Sequence, residues 1–280
     1  MKTVLFKSIF LFSLAGFLIG CNTGVKKNPE NPIQFDSLFF EKSYHFFDDD
    51  KNPGCSLQIN YVYPVNYSNR DILTLMQQQF VSVFFDDIYK TLTPEEVVEK
   101  YTDYFIKTYK DVEQDFKIAL ENHDMEIDEK WYVNEEFASN KIVYNRNDLL
   151  SFVVCKEYYY GGVRGHNYVN RAIDLTTGRR ITEDEIFADD YQDDLAKIII
   201  DAIALSNNVE MTELENIGFY NLEEIFPNNN FYVDESGITY TFNEYEIAAY
   251  VVGAVSVQIS YDNIRHLLRR EGPVSKLAFR

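Results

Sequence analysis

The chain has 280 residues, of which 46% are hydrophobic and 25% are charged, so it has enough apolar material for a packed core and is not a disordered polymer. Acidic residues outnumber basic ones 45 to 26, which gives a net charge of −19. Because phosphates repel such a chain, no nucleic-acid partner is expected, whereas a basic partner is electrostatically favoured. The length fits one large domain or two small ones.

Residues 1–20 have the pattern of a secretory signal peptide. Lys2 and Lys7 precede an apolar run over residues 8–20, and Cys21 ends it. This run is shorter than the roughly 20 apolar residues that a membrane-spanning helix needs. Its end, Leu18-Ile19-Gly20-Cys21, resembles the lipobox of bacterial lipoproteins, in which the cysteine is acylated and becomes the first residue of the mature chain.

The lipobox resemblance implies a location for the protein. Residues 21–54 are expected to form a lipid-anchored tether that leads into the folded part, and the lipid on Cys21 is expected to bind a membrane. The expected compartment is the bacterial cell envelope, on the periplasmic side or at the cell surface.

Two further cysteines, Cys55 and Cys155, lie in strand-like runs and form an even pair. In an oxidising envelope compartment such a pair fits a disulfide, which neighbouring strands would allow. The alternative is that both are free buried thiols, because a free cysteine packs as a small hydrophobic residue. Neither cysteine has the pattern of a nucleophile.

Residues 55–130 are predicted to form a strand followed by helices. Alternating residues indicate a strand at 56–63, and apolar residues at helical spacing predict a helix over 71–89. Thr93 and Glu96 complete a capping box, and Pro94 suits the first turn, so a second, long helix is predicted from this point to residue 122.

Residues 131–280 are predicted to form an antiparallel-sheet domain, because their apolar pattern changes to period two. The strand-like runs lie at residues 131–137, 141–145, 149–160, 169–175 and 255–261. A hairpin is predicted at residues 231–242, where Gly237 is expected to supply a positive φ. Thr182 opens a capping box before a short helix, an amphipathic helix follows at 191–205, and Asp262 is expected to cap a C-terminal helix through residue 270.

Helices and strands are therefore segregated along the chain. The predicted fold class is α+β, with an antiparallel sheet and segregated helices in two intimately packed sub-domains.

Two stretches of the chain resemble one known family. The first is Tyr158-Tyr159-Tyr160-Gly161-Gly162-Val163-Arg164-Gly165 followed by Asp174-Leu175-Thr176-Thr177-Gly178, and the second comprises residues 231–238 and 243–253. Their aromatic, Gly-Gly and Asp-x-x-x-Gly patterns are similar to the domain of unknown function at the C-terminus of RsiV-type anti-sigma factors. That domain also occurs outside the catalytic part of PdaC-type peptidoglycan deacetylases. The resemblance covers about residues 55–269 and implies an extracytoplasmic recognition module, which in the RsiV-type branch binds lysozyme.

The sequence lacks the common motifs of hydrolases and zinc sites. The four histidines are scattered, with no His-x-His, His-Glu-x-x-His or Gly-x-Ser-x-Gly pattern. Residues 48–54 place oxygen ligands as a calcium loop does, but Pro53 stands where the loop needs glycine and Ile59 where it needs glutamate. No catalytic residue, metal ligand or cofactor is therefore predicted, and the protein is not expected to be an enzyme.

A binding surface is predicted around the Gly-Gly turn. It comprises Tyr158, Tyr160, Gly161, Gly162, Arg164 and His166, because tyrosine and arginine are enriched at interaction hot spots. The alternative is that the tyrosines pack on the sheet as ordinary strand residues.

The predicted function is a non-catalytic, lipid-anchored envelope protein that binds a basic protein such as lysozyme. Its rival is a glycan-binding accessory protein, or a hydrolase, that acts on the cell wall.

Overall fold

The computed structural model describes residues 30–122 and 128–279. The predicted signal peptide and Cys21 lie outside the described residues. The strands are β1 (Gln34–His45), β2 (Gly54–Asn66), β3 (Asn134–Arg146), β4 (Leu149–Tyr160), β5 (Val163–Asp174), β6 (Arg179–Arg180), β7 (Phe231–Val233), β8 (Gly237–Phe242) and β9 (Val255–Ser260). The helices are α1 (Arg70–Phe84), α2 (Pro94–Lys110), α3 (Glu113–Glu121), α4 (Glu183–Ile186), α5 (Gln192–Asn207), α6 (Tyr261–Ile264) and α7 (Ser275–Ala278).

The first six strands form one sheet in chain order, β1 to β6. All its pairs are antiparallel except β2 and β3, which are parallel. A parallel pair needs a long crossover connection, and α1, α2 and α3 lie in the segment between these two strands. Strands β7, β8 and β9 form a second, antiparallel sheet. The predicted α+β class is confirmed.

Helix α1 packs its apolar side on one face of the six-stranded sheet. Asn69 caps the helix by accepting hydrogen bonds from the N–H groups of Asp71 and Ile72. The buried ring of Phe80 stacks on Phe152 of β4, with 4.0 Å between ring centroids. The core on this face is therefore built by the helices of the crossover.

Helix α2 begins as predicted, with the capping box of Thr93 and Glu96 and with Pro94 in its first turn. The predicted single helix to residue 122 is instead two helices, because α2 ends at Lys110 and α3 begins at Glu113. The break lets Phe116 of α3 stack on Phe46, with 5.2 Å between ring centroids.

The opposite face of the large sheet carries the second core. Helix α5 buries Leu195, Ile199 and Ile203 there, in one cluster with apolar residues of β7, β8 and β9. The predicted hairpin is β7 and β8, but Gly237 does not have a positive φ. Glycine is needed because a Cβ at this position would overlap the carbonyl oxygen of Ile259. The predicted C-terminal helix is also shorter: α6 ends at Ile264, and its N-cap residue is Ser260, not Asp262.

Of the two alternatives for Cys55 and Cys155, the structure has the free thiols and not the disulfide. Cys55 lies on β2 opposite Asn134, Cys155 lies on β4 opposite Ser139, and β3 separates the two strands. Two strand spacings alone separate the Cα atoms by about 10 Å, beyond the roughly 7 Å limit for a disulfide. Burial raises the pKa of the Cys55 thiol to about 12 and also raises that of Cys155.

Part of the predicted tether belongs to the sheet, because β1 begins at Gln34. No helix within residues 30–122 and 128–279 combines the length and apolar character needed to cross a membrane.

Candidate functional site

The β4–β5 hairpin carries all the predicted binding residues. Gly161 and Gly162 form its two-residue turn with φ values of 58° and 89°, between the paired residues Tyr160 and Val163. Two consecutive positive φ values define the tight turn that fits the strand twist, and glycine adopts them without strain. The Gly161 N–H also donates to the Val133 carbonyl at 3.2 Å. The turn is therefore held by the pairing of β4 with β5 and by this hydrogen bond to the residue before β3.

The three tyrosines before this turn alternate between the faces of the sheet. The rings of Tyr158 and Tyr160 stack on one face, with 5.3 Å between centroids. Tyr159 lies on the other face, where the Arg164 guanidinium is 5.8 Å from its ring centroid. The structure thus brings Tyr158 and Tyr160 together and separates them from Arg164 and His166, which point to the opposite face.

Tyr160 is held by a buried carboxylate. Its hydroxyl donates to Oε2 of Glu136 at 2.5 Å, and the Tyr101 hydroxyl donates to Oε1 at 2.6 Å. Glu136 is only 8% exposed. Burial and then the charge of Glu136 raise the pKa of Tyr160, so this hydroxyl stays protonated as a donor. Nearby, Lys156 donates to the Tyr101 hydroxyl at 3.0 Å, and burial lowers the pKa of that lysine.

Side chains from the second sheet region close the open edge of β5. Four side chains form hydrogen bonds with the backbone groups of β5 to which a further strand would bond. Tyr250 Oη donates to the Arg164 carbonyl at 2.6 Å, and Glu244 Oε1 accepts from the His166 N–H at 3.2 Å. Asn243 Oδ1 accepts from the Tyr168 N–H at 2.7 Å, and Asn230 Oδ1 accepts from the Asn170 N–H at 2.7 Å. We call these four side chains the edge cap. They prevent strand addition along this part of β5.

Glu244 is the buried charge of the site. Its side chain is 9% exposed, and Oε1 lies 3.2 Å from Nδ1 of His166. Among the described residues Oε2 has no hydrogen-bond partner. It lies 2.8 Å from the position that a Cβ of Gly165 would take, beside the Tyr158 hydroxyl. Burial and then the charge of Glu244 raise the pKa of Tyr158. Gly165 therefore leaves room for the Tyr158 hydroxyl and the Glu244 carboxylate, which a larger residue at this position would displace.

A cleft of about 610 Å³ opens on the Arg164 and His166 side of the hairpin. Its walls include Tyr168, Tyr232 and Tyr250, and Lys141 adds a second cation. Aromatic walls with a few charged groups are typical of ligand sites. Within the described part of the chain, no group of three or more His, Cys, Asp or Glu residues is placed to hold a metal ion.

Sequence reasoning missed the residues that face the hairpin, namely Glu244, Tyr245 and Tyr250. Tyr245 and Tyr250 stack with 5.6 Å between centroids and are 60% and 43% exposed. The signal was present, because residues 243–253 belong to the second stretch that carries the family resemblance. We use the name hairpin surface for the six predicted residues together with Glu244, Tyr245 and Tyr250.

The fold is that of an α+β protein with two sheets, and the β4–β5 hairpin lies at one end of the larger sheet. Residues 184–262 match a family model described as a protein of unknown function (DUF3298). This match contains Glu244, Tyr245 and Tyr250 but not the β4–β5 hairpin. A comparison with curated proteins found no match.

Two solved structures of DUF3298 proteins have a similar fold. A family member from Bacteroides fragilis NCTC 9343 is 27% identical in sequence, with a TM-score of 0.82 over 90% of this chain and 99% of that one. A family protein from Pseudomonas aeruginosa PAO1 is 10% identical, with a TM-score of 0.57 over 86% of this chain and 96% of that one. The second likeness concerns the fold alone.

Proposed function

We propose that this chain is a lipid-anchored protein of the bacterial cell envelope whose α+β domain binds a basic protein without catalysis. The observation that carries the proposal is the group of tyrosines at the hairpin surface: Tyr158 stacks on Tyr160, Tyr245 stacks on Tyr250, and the carboxylate of Glu244 lies beside the Tyr158 hydroxyl. Rigid aromatic rings are the residues that most often dominate binding energy in protein interfaces. The resemblance to RsiV-type domains makes lysozyme the first partner to test.

The charge of the chain supports a basic partner. With a net charge of −19, the domain attracts a cationic protein over long range and speeds their encounter. Salt screens this attraction, with a Debye length of about 8 Å at physiological ionic strength. The rings then determine how long the complex lasts, because short-range packing acts mainly on dissociation.

Binding of hen egg-white lysozyme to the purified full-length protein tests the proposal. The association rate is expected to fall as salt rises. Tyr158→Ala is expected to weaken binding by about 1 to 3 kcal/mol. Phe39→Thr is the matched control, because Phe39 is 52% exposed in the middle of β1 and far from the turn. Absence of binding, or an association rate that does not respond to salt, would refute the proposal.

The anchor is a separate part of the proposal and rests on the lipobox resemblance. Cys21→Ser is expected to block processing, so that an uncleaved precursor of higher mass accumulates. Mass spectrometry of the membrane fraction measures this. Normal cleavage of the variant would refute lipidation at Cys21.

The cleft favours a second candidate function, which is binding of cell-wall glycan. Tyr168 and Tyr232 line the cleft with rings on which sugars can stack, and the exposed Ser256 adds a hydroxyl. Incubation with purified peptidoglycan fragments tests this candidate. Binding that Tyr232→Ala abolishes would favour it over protein recognition, and release of cleaved product would show a hydrolase.

A further inference from the structure

Two exposed aromatic residues have a backbone conformation that their side chains disfavour. Among the described residues, eight residues other than glycine have positive φ. Six of them are asparagine or aspartate, which tolerate the left-handed region. The other two are Phe47 (φ 58°) and Tyr245 (φ 65°), and they are 47% and 60% exposed. Because these rings are exposed and their backbone conformation disfavours aromatic side chains, burial in the core does not explain them.

The surroundings of Phe47 force it outward. The preceding residue, Phe46, is fully buried and stacks on Tyr109 with 4.6 Å between centroids. The Phe46 carbonyl accepts from the Asn52 side chain at 3.1 Å, and the Phe47 N–H donates to Glu113 at 2.5 Å. The backbone on both sides is thereby fixed. The loop between β1 and β2 therefore holds the Phe47 ring in solvent.

Tyr245 is held in the same way by a tight turn. The Glu246 N–H donates to the Asn243 carbonyl at 3.0 Å, and the Glu246 side chain accepts from the Asn243 N–H at 2.8 Å. Tyr245 occupies the third position of this turn, where a positive φ favours glycine or asparagine. Its exposed ring stacks on Tyr250.

Both rings lie at the same end of the six-stranded sheet. The strand register runs across this end from His45 and Gly54, through Cys55 and Asn134, to the pair Tyr160 and Val163. The distance from β2 to β5 is three strand spacings, or about 14 Å. Trp131, which is 70% exposed, lies between the two loops and next to Gly162. A standard interface extends over about 800 Å² of each partner, so one protein is large enough to contact both rings.

The charge beside each ring is negative. Asp48 and Asp50 are exposed next to Phe47, and the exposed Glu246 follows Tyr245. Such carboxylates complement lysine and arginine side chains of a partner. We propose that Phe47 and Tyr245 are two anchors of one docking rim at this sheet end, and that the occupant of the rim is a basic protein. This inference rests on the proposed function and adds the Phe47 loop to the contact.

Replacement of each ring by asparagine tests the rim, because asparagine tolerates the left-handed region and occupies three of the other six such positions among the described residues. Phe47→Asn and Tyr245→Asn in the full-length protein are each expected to weaken lysozyme binding at least tenfold. Their Tm is expected to stay within about 2 °C of the wild type or to rise, because the strain is relieved. Phe39→Thr again serves as the control and is expected to leave the Kd unchanged.

Three other results would overturn either the rim or both the rim and the proposed function. A Tm decrease of more than about 5 °C in either variant would show that its ring stabilises the fold, and would overturn the rim. Wild-type affinity in both variants, together with weakened binding of Tyr158→Ala, would overturn the rim and leave the proposed function intact. Absence of lysozyme binding by the wild type would overturn both.

Discussion

Replacing Tyr160 with phenylalanine separates the structural role of this residue from its role in binding. The variant keeps the ring that stacks on Tyr158 but loses the hydroxyl that donates to Glu136. Tyr101 continues to donate to Oε1 of this glutamate, so only Oε2 loses its donor. Because Glu136 is 8% exposed, water reaches that oxygen poorly. The variant therefore leaves one buried carboxylate oxygen without a partner.

An unsatisfied buried acceptor costs about 1 to 3 kcal/mol of folding free energy. For a chain of 280 residues, such a loss lowers the Tm by roughly 2 to 5 °C. Lysozyme affinity is expected to stay at the wild-type value, because the ring and the turn are retained. Tyr160→Ala is expected to lose both stability and affinity, since the variant removes the ring as well.

Differential scanning calorimetry and lysozyme titration measure the two effects on the same samples. Tyr159→Phe is the matched control, because it removes a hydroxyl from the next residue of β4 on the face opposite Glu136. This control is expected to melt within about 1 °C of the wild type. A Tyr160→Phe protein as stable as the control would show that the bond to Glu136 contributes nothing, and would refute the reasoning.

Three further predictions concern the rest of the fold. Glu183 is 3% exposed and burial raises its pKa, so the folded state binds the carboxyl proton more tightly than the unfolded state. The stability that this proton contributes is complete below about pH 4.5 and is lost as pH rises through the raised pKa. Urea unfolding of Glu183→Gln at several pH values is expected to lack this pH dependence of the free energy of unfolding. Gly237→Ala is expected to cost about 1 to 3 kcal/mol in denaturant melts, because a Cβ overlaps the Ile259 carbonyl, and an unchanged midpoint would contradict the close approach. Alkylation of the unreduced protein in denaturant is expected to label both Cys55 and Cys155, and protection of both would restore the disulfide.

Local signals in the sequence predicted local structure well. The capping box at Thr93 and the strand over residues 149–160 are where the patterns place them, because each depends on residues within one or two turns or along one strand. Strand β1 was not predicted, since it is an edge strand and none of its twelve residues is fully buried. Its apolar residues Leu38, Phe39 and Phe40 are consecutive, so the sequence hides the alternation of exposed and half-buried positions along the strand.

Contacts between distant segments were beyond the sequence patterns. His166 and Glu244 are 78 residues apart, and Arg164 and Tyr250 are 86 residues apart. No spacing rule relates such positions. The disulfide prediction failed for the same reason, because the parallel pairing of β2 with β3 places a strand between the cysteines.

The edge cap determines where this chain can be divided into fragments. All four of its side chains, Asn230, Asn243, Glu244 and Tyr250, belong to the DUF3298 match over residues 184–262, but they bond to a strand that lies before the first residue of that match. If the chain were cut at residue 184, the C-terminal fragment would keep the edge-cap side chains without the strand to which they bond. The N-terminal fragment would keep β5 with an unpaired edge, which promotes aggregation. A fragment that keeps both the edge cap and the strand edge that it covers therefore has to include both sheets.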